Sequence, residues 1–185
     1  MKLIKQMVVG VVALMLVTPA WAADNSLRDH PGYVDFSSLT SQASSEPTVE
    51  ISLRAPILAM MTNLIRNEDE MAADFVSKLL RVSVNVFESD AVDVSEIADS
   101  MSEIAESLDD QGWERVVRVR ENGEHVDIYM RLSNDGELIH GITIMVAEPG
   151  DTVMVNIVGE ISGNDIAALG RRFDIDELTD LEVDQ

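Results

Sequence analysis

A chain of 185 residues with no cysteine, 34 Asp and Glu against 13 Lys and Arg, and a formal net charge of −21 cannot be a disulfide scaffold. It also lacks the clustered basic side chains that nucleic acid or an anionic membrane surface would reward. Its 46% hydrophobic content is enough for one packed domain.

At the N-terminus, Lys2 and Lys5 precede an apolar run over residues 7–17, then Pro19 and the small-residue pattern Ala20-Trp21-Ala22. This is the layout of a secretory signal peptide, residues 1–22, with cleavage expected after Ala22. The run is shorter than the ~20 residues that span a bilayer, so no transmembrane segment is expected after cleavage. Without a cysteine there is no lipoprotein anchor. The expected location is therefore the periplasm or the medium, and losing Lys2 and Lys5 deepens the acid excess.

Residues 23–47 read as an extended leader with an apolar patch at Tyr33, Val34 and Phe36. A single domain follows over residues 48–173. It opens with Val49, Ile51 and Leu53 alternating against Glu50, Ser52 and Arg54, as in a half-buried strand. Two amphipathic helices come next. Ile57, Leu58, Met61, Leu64 and Ile65 share a face of the first, and Met71, Phe75, Leu79 and Leu80 a face of the second. A second strand over residues 81–87 points Val82, Val84 and Val86 one way. The clearest helix carries Val94, Ile97, Met101, Ile104 and Leu108, with Asp93 or Ser95 available to cap it and Gly112 to end it.

Four closely spaced strands follow. Asn122-Gly123 suits a two-residue hairpin turn, which pairs Val119 with Val126, Val117 with Ile128 and Trp113 with Leu132. On the opposite face the same register pairs Arg118 with Asp127 and Glu114 with Arg131. A three-residue loop with Gly136 left-handed keeps the faces consistent and sets Val126 against Ile144 and Ile128 against Ile142. Pro149-Gly150 closes the last hairpin, with Val146 facing Val153, Ile144 facing Val155 and Ile142 facing Ile157. A short helix over residues 164–170 and an acidic tail over residues 174–185 end the chain.

The expected fold class is α+β. It is a two-layer sandwich with a largely antiparallel sheet, built from the C-terminal four-strand meander and two N-terminal strands, with helices on its apolar face. The order of the two N-terminal strands is open.

Chemistry is sparse. Arg115, Met130, His140 and Gly159 fall in one row of the apolar face near an end of the sheet, where Arg can reach solvent and His can pack over glycine. His125 and Asp127 share the other face, and with His140 they are the residues that a small periplasmic hydrolase would use. No strained nucleophile turn accompanies them, so no catalytic residue is assigned and the chain is not expected to be an enzyme. Three histidines without metal-ligand spacing point to no zinc or copper site, and no cofactor motif occurs. Weak calcium binding by the acidic tail is the one metal alternative.

The second sheet face is the expected working surface. Val116, Tyr129 and Val158 lie across it, followed by Arg120, His125, Met145 and Met154, more apolar than a free face requires. Two readings stay open: an interface for an envelope protein, or self-coverage by the leader through Tyr33 and Phe36.

Gly32-Tyr33-Val34-Asp35-Phe36, the strand TVEISL before an apolar helix, Gly112-Trp113-Glu114-Arg115-Val116-Val117 and the segment EPGDTVMVNIVGEI occur in an order that resembles bacterial domain-of-unknown-function family 4252. The resemblance spans about residues 32–173. It implies an exported or envelope-associated protein, some relatives being lipid-anchored, with no activity or catalytic residue to carry over.

Overall fold

In the computed structural model, residues 27–36, 46–88, 94–121 and 123–173 are described, excepting the side chains of 88, 94–98 and 169–173. The signal segment with Ala22, the helix-capping Asp93 and Ser95, and the acidic tail lie outside that description. The elements are β1 (Val49–Arg54), α1 (Ala55–Ile65), α2 (Glu70–Ser77), β2 (Leu79–Glu88), α3 (Val94–Asp110), β3 (Glu114–Glu121), β4 (Glu124–Leu132), β5 (Leu138–Glu148), β6 (Asp151–Ser162) and α4 (Gly163–Phe173). The class is α+β, with one antiparallel sheet in the order β1-β2-β6-β5-β4-β3. The antiparallel pair β1 and β2, joined through α1 and α2, thus extends the meander at its β6 edge. No helix among the described residues is long and apolar enough to cross a membrane.

Local chemistry explains the element ends. Asp69 caps α2, its carboxylate accepting the Ala72 N–H at 3.0 Å. Leu79 and Leu80, expected on that helix, instead open β2. At α4, Ser162 and Asp165 form a reciprocal capping box. The Asp165 carboxylate accepts the Ser162 N–H at 2.8 Å, and the Ser162 hydroxyl accepts the Asp165 N–H at 3.4 Å. Burial alone would raise the Asp165 pKa, but hydrogen bonds from Lys78 and Ser162 prevail and hold it below the usual value.

The β3–β4 pairs at Val117, Arg118 and Val119 and the β5–β6 pairs at Ile142, Ile144 and Val146 are those the alternation predicts. Two registers differ. Val126 faces Val146 and Ile128 faces Ile144, a shift of two residues from the sequence reading. The cause is a longer loop: the Ser133 N–H donates to the Leu138 carbonyl at 2.8 Å, enclosing Gly136 at φ 76°. The pairing then jumps from Arg131↔Gly141 to Leu132↔Ile139. His140 is passed over, so it does not face Met130, and the irregularity restores the alternation of faces.

The second difference is a bulge between Arg115 and Val117. It leaves Val116 unpaired and 55% exposed, and turns Arg115 toward Tyr129, whose hydroxyl accepts from the Arg115 guanidinium at 3.0 Å. Glu114 accordingly faces Met130, not Arg131. Trp113 pairs with no strand and is 3% exposed in the core beside α3.

The helices divide between the two faces of the sheet. Ile104, Ala105 and Leu108 of α3 pack with Tyr129, Met145, Ala147 and Met154 on what we term the tyrosine face. Leu58 of α1 packs with Leu79, Ile139 and Ile161 at one end of the opposite, aliphatic face, joined by Phe75 of α2 and Ile166 of α4. The longest helix therefore covers the face expected to be free. On α1 only Leu58 and Thr62 are buried, and the expected core residues Ile57 and Leu64 are 42% and 67% exposed.

Candidate functional site

The tyrosine face is filled from within the chain. Tyr129, Met145 and Val158 are fully buried and Met154 is 2% exposed, while Arg120 and His125 lie nearer the margin. Residues 27–36 run across this face, and Val34 and Phe36 join the α3 core cluster. The crossing is close because Gly32 lies against Gly141: a Cβ on Gly32 would fall 1.9 Å from the His140 carbonyl oxygen. Buried Asn156 ties the crossing down. Its side-chain oxygen accepts the Val34 N–H at 3.2 Å, and its amide nitrogen donates to the carbonyls of Gly32 at 3.0 Å and Ile142 at 3.3 Å. Of the two readings the sequence leaves open for this face, self-coverage is the arrangement the described residues show, but through Val34 and Phe36 and not through Tyr33, which is half-buried outside that cluster.

The candidate catalytic residues are not assembled. Asp127 is buried between Arg118, 3.4 Å away, and Arg120, so its carboxylate is committed to two guanidinium groups. His125 pairs across the sheet with Arg120 and Ala147. His140 lies elsewhere, stacked edge-on to His30 with ring centroids 5.7 Å apart. Among the described residues, no group of three or more His, Asp or Glu side chains converges as metal ligands.

His30 has a structural task instead. Its Nδ1 accepts the Gly32 N–H at 3.1 Å, which requires that nitrogen to be unprotonated. Burial lowers its pKa below 6.5 and the neighbouring His140 lowers it further, against a smaller raising effect of Glu160. The unfolded chain therefore takes up this proton more readily, so the His30 contribution is complete above about pH 6.5 and declines as pH falls toward the depressed value. Urea midpoints compared between about pH 7.5 and 5.5 are expected to fall less in His30→Gln than in the parent chain. Equal slopes would remove His30 from this account.

Among the described residues, the surface left unfilled is on the aliphatic side. Val49, Val86, Val153, Val146, Val126 and Val119 form one unbroken row across all six strands. Ile51, Val84, Val155, Ile144, Ile128 and Val117 form the next. The third row, Leu53, Val82, Ile157, Ile142 and Met130, is packed against the cluster beneath α1. The first two rows remain half-buried or exposed, with Val49 at 43%, Ile51 at 41% and Val119 at 36%. Strand spacing gives them a footprint about 25 Å wide and on the order of 350 Å². Exposed Ile57, Met60 and Leu64 add to the apolar surface on α1, which packs against β1 and β2.

This surface was missed in the sequence because its residues have the pattern of a core. An uninterrupted set of β-branched side chains reads as buried, and alternation alone does not tell which face receives a helix.

No curated protein and no solved structure matches the chain. Residues 44–169 match a single family, so the resemblance seen in the strand TVEISL, in the start of the meander and in EPGDTVMVNIVGEI holds over most of the chain, while residues 32–36 fall outside the matched span. With a six-strand sheet and four helices among its described residues, the chain belongs to the family described as Domain of unknown function (DUF4252).

Proposed function

We propose that the chain is an exported, non-enzymatic docking module, released after Ala22, that holds an envelope protein on its aliphatic face. The observation that carries this reading is the pair of valine and isoleucine rows crossing all six strands without a covering element among the described residues. A flat apolar surface of this extent loses free energy in water and gains it when covered, at roughly 25 cal/mol per Å². Apolar patches of this size are often functional. Occupation of the Asp127 carboxylate by two arginines supports the non-enzymatic part of the reading.

The test places a photo-crosslinking residue at Val84, in the second row, and another at Glu103, on the exposed side of α3. A discrete adduct with one envelope protein is expected from position 84 alone. It should disappear in Ile144→Asp, whose half-buried site limits the folding cost to about 1 kcal/mol. Identical adducts from both positions, or an adduct that survives Ile144→Asp, would count against the reading.

A further inference from the structure

We propose that the occupant of the aliphatic face is an amphipathic segment of another protein whose apolar side chains are bordered by Lys or Arg. This rests on the docking reading above and adds the partner's charge to it. Two residues beyond the valine row, the same side-chain alternation places Glu121, Glu124, Glu148 and Asp151 along one end of the aliphatic face. All four are exposed. Glu121 stands opposite Glu124, and Glu148 opposite Asp151, so both hairpin ends carry like charges directly across the strand pair.

Like charges directly opposite are destabilising, and a sheet end with no task for them would be better served by mixed charges. Among the described residues none of the four makes an ion pair or a hydrogen bond through its side chain. The nearby cations are committed elsewhere: Arg118 and Arg120 hold Asp127.

The surface is thus an apolar plate with an unneutralised acidic border. Charge complementarity then selects the occupant. A second copy of this chain would bring the same border and the same large excess of acid. The C-terminal sequence of residues 174–185 contains no Lys or Arg. A segment with aliphatic side chains and a basic edge meets both features at once, and its association would be steered by long-range attraction and weakened by salt.

The probe is a synthetic amphipathic helix of leucine and lysine, with a leucine and glutamate peptide of the same length beside it, titrated into the purified full chain. Three variants are compared: Ile144→Asp; the neutralised border E121Q/E124Q/E148Q/D151N; and a control neutralising four exposed acids of α3, E103Q/E106Q/D109N/D110N. The lysine peptide is expected to bind the parent and the control alike, to lose about tenfold in affinity with the neutralised border, and to lose as much with Ile144→Asp. Circular dichroism melts of each variant establish that the fold is retained.

Equal loss in the border variant and the α3 control would mean general attraction to an acidic protein and would overturn the proposal. Binding of both peptides alike, still abolished by Ile144→Asp, would overturn the charge assignment while leaving the docking face intact. Indifference to Ile144→Asp would remove the docking face as well. A dimer that dissociates in Ile144→Asp, or an intramolecular crosslink from position 84, would identify a different occupant and overturn the proposal.

Discussion

Gly32→Val is expected to lift residues 27–36 from the sheet and to cost on the order of 3 kcal/mol of stability. A Cβ at this position meets the His140 carbonyl oxygen at 1.9 Å and its carbon at 2.4 Å. These are backbone atoms of a central strand and cannot move aside as the tip of a side chain would. If the crossing segment moves instead, Val34 and Phe36 leave the α3 core and the Asn156 amide loses both of its leader partners. Urea denaturation should show a lower midpoint, and limited proteolysis should cut within residues 27–36 in the variant but not in the parent. Gly136→Ala is the comparison. Nothing lies within 4 Å of a Cβ there, so only its φ of 76° resists, at about 1 kcal/mol. Equal effects at the two positions would show that the crossing segment contributes little.

The paired substitution Arg118→Ala with Arg120→Ala is expected to cost about 3 kcal/mol, because it strands the Asp127 carboxylate in the core without a countercharge. Either single substitution should cost less than half as much, since the remaining guanidinium still neutralises the acid; the effects are therefore strongly non-additive. Asp127→Asn should be milder, at roughly 1 kcal/mol, because Arg118 and Arg120 are 49% and 32% exposed in their side chains and keep their water. Denaturation of the four variants at one pH separates these outcomes. Additive single effects would mean that the two arginines do not share a task.

How much of the site was legible follows from the kind of signal each residue emits. The Arg118–Asp127 pair was visible because a tight turn at Asn122-Gly123 sets the register and opposite charges then meet across it. The involvement of Arg120 was not, since it pairs by register with His125 and reaches Asp127 diagonally. Asn156 gave no warning at all: its partners Gly32 and Val34 lie more than 120 residues away in the chain, in a segment of irregular backbone. The acidic border was written in the alternation from the start, but it becomes a border only because the face beside it is left open.

The strands, their alternation and the pairings closed by short turns follow from local rules, because a two-residue side-chain period and a turn type act within a few residues. So does the identity of the long α3 helix, through the spacing of Met101, Ile104 and Leu108. The position of β1 and β2 beside β6, the irregularities at Val116 and His140, and the side of the sheet taken by α3 depend on how distant segments fit together. Both faces carry enough apolar area to accept a helix, so periodicity leaves that choice degenerate. One long-range contact that helps break the tie is at Asn156, which is tolerable inside the tyrosine face because the leader meets it there, and among the described residues the valine rows are left facing outward.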